Sequence, residues 1–530
     1  MKRLNELPII FVLLIGILLI PISMMTVKGI STSKWFQRLS DPKLNGMLLK
    51  EQRPEFTLDT VLSGDFQVKY SNWFNQNFMM REFLIKLNNE LYYTIFSKSY
   101  MYDQKIIIGK EGQLYERAYI DDYCNITSPM GEDKLEQMVN KMSDVQRLLS
   151  QKGIPFIILI TPSKAFTYPE FIPTTFLKQK KPNGKNDYEQ IMPLLEKNEI
   201  NFVDGQKITL DLKKQIEYPL FARGGIHWNY LAASYSLNKL IEKINFISGD
   251  TRRKTYIERV ETSDNPVGKD RDLLDLLNLW TPPDNYPAPV PVFSSAGAGN
   301  SSGAITVVGG SFCGMFLDII REQKLFDSYD FFFYYKLERF TYPQKENGKP
   351  FNVQMLDWED EIFNKNPIIL EVNEEAFNGG HATAFLDDAL IQLKYPGPLK
   401  TKSTGPLPAD AYSYEMHIEE TAKSVKLNEP VKLSFKVKNS GKQTWPSIGD
   451  GKYQINLGYH YENQNGPNEG RIGSLPIDLR PGQEVTIEGT VGPFKERGRK
   501  KLVFDMVHES VTWFRDHQGN KPITLTIDVQ

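Results

Sequence analysis

The stretch AITVVGGSF, residues 304–312, decides the fold. Its first five residues are apolar or β-branched and read as a strand buried on both faces. The pair Gly309–Gly310 then turns the chain at the carboxyl end of that strand, and Ser311 follows directly. A strand closed by glycines and a serine is where an open α/β sheet presents a nucleophile. Working outward, IPFIILITP at 154–162 and PIILEV at 367–372 repeat the continuous apolar pattern. Helical patterns lie between them. Leu135, Met138, Val139, Met142, Val145, Leu148 and Leu149 recur at helical spacing and stop at Gly153, and residues 232–244 form a further helix. Buried strands alternating with helices predict an α/β domain whose parallel sheet is flanked by helices.

The flanks differ from this core. Residues 7–27, LPIIFVLLIGILLIPISMMTV, carry no charge and are long enough to cross a hydrocarbon core of about 30 Å. Lys2 and Arg3 precede them, which places the amino terminus in the cytoplasm and the rest of the chain outside. The expectation is a single-pass protein of the cell membrane, with a tip and transmembrane anchor over 1–28, a juxtamembrane segment over 29–65 and an extracytoplasmic bulk. Residues 66–96 are dense in aromatic and amphipathic helical pattern. The α/β domain is expected over 66–394, interrupted by a Pro-, Ser- and Gly-rich insert at 280–303. A second such stretch at 395–411 reads as a linker. Beyond it, VKLSFKVKN, YQINLGYHY, EVTIEGTV and KKLVFDMV are β-rich runs separated by turn residues, which predict an antiparallel sandwich over 412–530.

Composition narrows the chemistry. The 530 residues include 63 Lys+Arg against 65 Asp+Glu, so no global basic field exists for nucleic acid. Two cysteines, Cys124 and Cys313, exclude a disulfide framework, and the six histidines show no metal-ligand spacing. No metal and no cofactor are expected. The reactive groups are therefore sought among Ser311, the Gly309–Gly310 turn beside it, and His227 in GGIHWN at 224–229. A serine nucleophile needs a base within hydrogen-bond reach, and histidine suits that task at neutral pH. The glycines expose backbone amides for an oxyanion. Trp228 is placed as a substrate-binding residue, with core packing as the alternative. Cys313 is a second candidate nucleophile, although a small buried thiol is the commoner role.

Several ordered blocks carry a resemblance. They are NQNFMMRE at 75–82, IIIGKEGQLYE at 106–116, TPSKAFTYPEFIP at 161–173, GIHWN at 225–229, DRDLLDLL at 270–277, VVGGSF at 307–312 and LEVNE at 370–374. Over about residues 66–390 the chain resembles the alginate O-acetyltransferase family of the AlgJ/AlgX type, relatives of the SGNH esterases. In that family the histidine block reads Asp-x-His-Trp and precedes a Gly-Asp-Ser-Phe block, the order kept here. The resemblance implies Ser311 as nucleophile and His227 as general base, with the Ser311 amide and that of a nearby glycine as oxyanion donors. The family's two aspartates fall on Gly225 and Gly310, so His227 acts in a dyad or takes its orienting group from elsewhere. Asp204, Asp272 and Glu374 lie in or near the matching blocks.

The implied activity is an acetyl relay: a membrane-bound O-acyltransferase supplies acetyl groups, Ser311 carries them as an ester, and a polysaccharide hydroxyl accepts them. A carbohydrate acetyl esterase and a non-catalytic polysaccharide-binding or assembly subunit are the alternatives. The carboxyl-terminal region resembles an immunoglobulin-like module. Trp445, Tyr459, Tyr461, Trp513 and Phe514 there form either its core or a sugar platform.

Overall fold

The computed structural model describes residues 42–46, 51–283, 286–294, 303–343, 351–394 and 399–530, apart from 79, 101–104, 352, 354–355, 365–366, 378, 421–423, 450 and 462–468. Two compact units result, one drawn from 1–349 and 366–386, the other from 350–365 and 387–530.

In the first unit β1 (Ile106–Ile108) and β2 (Leu114–Glu116) form a short antiparallel ribbon. Next come β3 (Phe156–Thr161) and β4 (Phe202–Asp204), then an antiparallel pair, β5 (Ile257–Ser263) with β6 (Ala288–Phe293). The chain continues through β7 (Ala304–Gly309), β8 (Ser328–Phe333), β9 (Glu338–Tyr342) and β10 (Ile368–Asn373). The main sheet has the order β4-β3-β10-β7-β8-β9, parallel throughout except for β9. β3 and β10 are buried along their whole length, which is why both read as unbroken apolar runs.

Helices cover this sheet. α1 (Glu132–Gln151) opens with Glu132 and Asp133 at its positive end and buries Leu135, Met138, Val139, Met142, Val145 and Leu149. α2 (Gly205–Lys213) follows β4, and α3 (Tyr230–Ser248) is capped by the Asn229 side chain. A five-residue helix, α4 (Asp272–Leu276), precedes β6, and α5 (Cys313–Gln323) connects β7 to β8. One core cluster joins Ile157, Trp228, Leu237, Val307, Phe312, Phe316 and Ile369, so strands and helices meet directly beneath Ser311.

Three expected segments lie partly or wholly outside the regular elements described above. Residues 7–27 lie outside the described residues, and no helix among the described residues is long and apolar enough to cross a membrane. Part of the stretch expected as an insert is β6, an ordered strand paired to β5. Part of the expected linker is fixed to the second unit: the Leu399 carbonyl accepts the Asp478 N–H at 2.8 Å, and Thr401 N–H donates to Asp478 at 2.6 Å. Proline and glycine mark breaks in periodicity there, and hydrogen bonding then ties the irregular chain down.

The second unit contains β11 (Tyr414–Glu420), β12 (Ser424–Val425), β13 (Val431–Asn439), β14 (Ile455–Tyr461), β15 (Glu469–Ser474), β16 (Glu484–Val491), β17 (Gly498–His508), β18 (Thr512–Trp513) and β19 (Ile523–Val529). One sheet runs β11-β13-β16; the other runs β12-β19-β17-β14-β15, with β18 on β17. Phe435 and Phe504, one from each sheet, meet at 4.9 Å in a shared core. This is sheet-on-sheet packing.

Candidate active site

Ser311 stands where β7 gives way to α5. Gly309 admits no side chain, because a Cβ there would lie 2.6 Å from Cys313 Sγ and 2.7 Å from Glu371. The Gly310 N–H donates to Glu371 Oε2 at 2.7 Å, and the Gly309 carbonyl accepts the Tyr334 N–H at 2.8 Å. These bonds fix the turn from behind. Ser311 thereby sits at the amino end of α5, where unpaired N–H groups and the helix dipole favour negative charge.

His227 arrives on a loop held by Lys164. That lysine is fully buried, and its Nζ donates to the carbonyls of Ala222 at 2.7 Å, Arg223 at 2.8 Å and Gly225 at 3.1 Å. Burial pushes the ammonium well below the ordinary lysine range, and the three carbonyls replace its lost water. Next to His227, the Trp228 indole donates to the Phe312 carbonyl at 3.0 Å and ties the histidine loop to the serine turn. The outcome is a hydrogen bond of 2.7 Å between His227 Nε2 and Ser311 Oγ.

The third group comes from a different segment. A Cβ at residue 225 would lie 2.5 Å from the Lys269 carbonyl oxygen, so residues 269–270 occupy the space a side chain there would need. That segment leads into α4, whose first residue, Asp272, places Oδ2 at 2.5 Å from His227 Nδ1. Its other oxygen accepts the N–H groups of Ile226 at 2.9 Å and Leu273 at 2.8 Å, which fixes the carboxylate's orientation. With an acceptor on Nδ1, the ring proton resides there and Nε2 keeps its lone pair for the serine. Burial lowers the His227 pKa below its ordinary 6.5 despite the Asp272 hydrogen bond, and the nearby Lys269 ammonium lowers it further. The neutral base form is thus favoured at physiological pH.

The arrangement is a Ser–His–Asp relay at the carboxyl edge of a parallel sheet. Residues 106–315 match the family model described as the SGNH hydrolase-like domain, acetyltransferase AlgX. Over those residues the chain is AlgX-like. Among solved structures, the O-acetyltransferase domain of Pseudomonas putida AlgJ is 17% identical, covering 55% of this chain and 98% of its own, with a TM-score of 0.35. Pseudomonas aeruginosa AlgX is 11% identical, covering 80% of this chain and 90% of its own, with a TM-score of 0.37. No curated protein matches the sequence.

In this AlgX-type domain the expected residues separate clearly. Ser311 and His227 are brought together. Trp228 is wholly buried and forms part of the core, so it faces protein rather than substrate. Gly310 does not offer its amide to an oxyanion, because Glu371 already accepts that N–H. Cys313 is also wholly buried; its thiol, raised by burial, points at Glu371 from 3.6 Å, away from a role beside His227. Of the three carboxylates in the matching blocks, Asp204 caps α2 and Glu374 accepts from Asn186, whereas Asp272 reaches the histidine.

Sequence reading missed Glu371, Lys164 and Tyr334, whose ring would lie 3.1 Å from a Cβ at residue 310. The two glycines in the aspartate positions were the available signal, since each marks a close approach by another part of the chain. In the second unit Trp445 and Phe514 are fully buried core, and the Arg471 and Arg515 guanidinium groups lie 5.3 and 5.6 Å from the centre of the Trp513 ring.

Proposed function

We propose that the chain is a membrane-anchored, extracytoplasmic O-acetyltransferase that passes acetyl groups to a cell-surface or exported polysaccharide through an acetyl ester on Ser311. The observation carrying this reading is the continuous hydrogen-bond chain Asp272–His227–Ser311. In the first half-reaction Ser311 Oγ attacks the donor's acetyl carbonyl while His227 Nε2 takes the hydroxyl proton. Asp272 holds the imidazolium that forms. The oxyanion is stabilised by the Ser311 N–H, which has no hydrogen-bond partner among the described residues, and by the positive end of α5. Collapse expels the donor's leaving group, protonated by His227, and leaves acetyl-serine. In the second half-reaction His227 deprotonates a sugar hydroxyl, which attacks the ester; the proton returns to Ser311 as the O-acetylated sugar departs.

A membrane-bound O-acyltransferase is the proposed acetyl source, and an anchor at 7–27 keeps the domain near it at raised effective concentration. The non-catalytic alternative drew its support from the glycines at 225 and 310. A carboxylate on His227 from Asp272 removes the first of those arguments. The test is p-nitrophenyl acetate turnover by the full chain in detergent micelles, beside Ser311→Ala and His227→Ala, with mass spectrometry of the Ser311 peptide. Turnover lost in both variants and an acetyl mass on Ser311 are the expected results. Background rates without acetyl-serine, from a folded chain, would reject the proposal. Added glycan then sorts transfer to sugar from hydrolysis.

A further inference from the structure

The helix Arg81–Phe96 is oriented inside out for one bathed in water. Its buried residues are the polar Glu82 and Asn89. Asn89 Nδ2 donates to the Leu277 carbonyl at 2.9 Å, and Lys86 Nζ to the Leu279 carbonyl at 3.1 Å. Glu90 accepts the Trp280 N–H at 2.9 Å, and Tyr93 packs against the cluster of Leu273, Leu274 and Leu277. The leucines and isoleucine face the other way. Leu84, Leu87, Leu91 and Ile95 recur at three- and four-residue steps, one stripe about 80° wide and about half a turn from Asn89 and Tyr93. They are 41%, 40%, 48% and 64% exposed. The preceding helix, Asp65–Asn77, buries none of its residues, yet it carries Phe66, Tyr70 and Trp73 in a row of ring contacts.

An apolar stripe of this length, held outward by hydrogen bonds on the opposite face, calls for a non-aqueous partner. We infer that the Leu84–Leu87–Leu91–Ile95 stripe lies on the interface of a lipid bilayer. This rests on the proposed anchoring through residues 7–27. Asn45 is already fixed to the segment that carries Asp272: its N–H donates to Asn278 Oδ1 at 2.7 Å and its Nδ2 to the Asp275 carbonyl at 3.1 Å. Residues 28–41 span at most about 50 Å fully extended, so the anchor keeps that segment and the helix packed on it within reach of the bilayer. Leucine with neighbouring Tyr and Trp is the composition that settles at a lipid interface. Docking there would hold α4, and with it the carboxylate on His227, at a fixed height above the membrane.

The test places an environment-sensitive fluorophore on Leu91→Cys in the full chain, reconstituted in phosphatidylcholine–phosphatidylglycerol vesicles. The native Cys124 and Cys313 are buried, so the new thiol takes the label. Ile95→Cys repeats the measurement on the same stripe, and Phe246→Cys, 85% exposed on α3, is the control. Brominated lipids are expected to quench the labels at 91 and 95 at least about twofold more than the label at 246. Equal quenching at all three positions, in a chain that resists carbonate extraction, overturns the docking and leaves the anchor intact. A blue-shifted but unquenched label also overturns it and makes protein the occupant, either a second copy or the chain's own amino-terminal segment. Release of the chain by carbonate counts against the anchor alone, and quenching at 91 then decides the docking by itself.

Discussion

At the scale of single residues, the histidine's neighbours determine what it can do. Asp272 supplies the carboxylate that Gly225 lacks, and Asp272→Asn tests it directly. An amide there favours the wrong ring tautomer, so acetyl transfer should fall on the order of 10³–10⁴-fold while thermal unfolding barely moves. Burial lowers the His227 pKa below 6.5, so the acid limb of kcat/KM should have its midpoint below pH 6.5. A midpoint at or above 6.5 would contradict this. Stability has a matching sign. Between the lowered pKa and 6.5 the unfolded chain binds more protons than the folded one, so His227 makes stability fall as pH drops through that window. Ser311 and His227 were legible because each sits in a short motif at a glycine turn. Asp272 was not, because nothing local in DRDLLDLL distinguishes a carboxylate that points at a histidine 45 positions away from one on a solvated helix.

At the scale of elements, loops and turns position these groups, and two glycines can be told apart. Gly309→Ala drives a methyl into Cys313 Sγ and Glu371, all inside the core, and should destabilise by about 1–3 kcal/mol. Gly310→Ala meets only the ring of the part-exposed Tyr334, at 3.1 Å, and should cost less. Thermal melts of the two variants give the ranking; equal losses would refute the distinction. Lys164→Met removes the donor from three carbonyls of the histidine loop. Leaving them unpaired should cost about 1–3 kcal/mol, and kcat should fall further than the Tm shift explains because His227 loses its fixed approach. The buried strands and α1 were legible from apolar runs and helical spacing. The role of Lys164 was not, because a lysine in TPSKAF reads as surface until the fold surrounds it with carbonyls.

At the scale of the whole molecule, buried acids make stability depend on pH. Burial, reinforced by the Asp122 charge, raises Glu374 to about 8, and burial raises Glu375 to about 7. An acid whose folded pKa is raised contributes its full stability below its unfolded value, near 4.5, and loses it as pH rises through the folded value. Glu374→Gln does not titrate. The melting temperature of that variant relative to the parent should therefore rise between pH 6 and pH 9, as measured by thermal unfolding across buffers. A constant difference would show that Glu374 is not protonated in the folded chain. The arrangement of an α/β unit followed by a β-rich unit was legible from the change in periodicity near residue 412. The attachment of residues 399–401 to the second unit was not, because irregular chain shows no period whether it is loose or tied by hydrogen bonds.

The close approach of residues 269–270 to Gly225 also has a consequence for descent. An aspartate at 225 and the present backbone path cannot coexist, since the Lys269 oxygen occupies the required space. Relatives should therefore divide into two sets, one with the acid two positions before the histidine and one with it at the start of the short helix. Exchange between them requires the histidine to stand alone for at least one mutational step. The location of a single carboxylate then serves as a marker of shared ancestry among such chains.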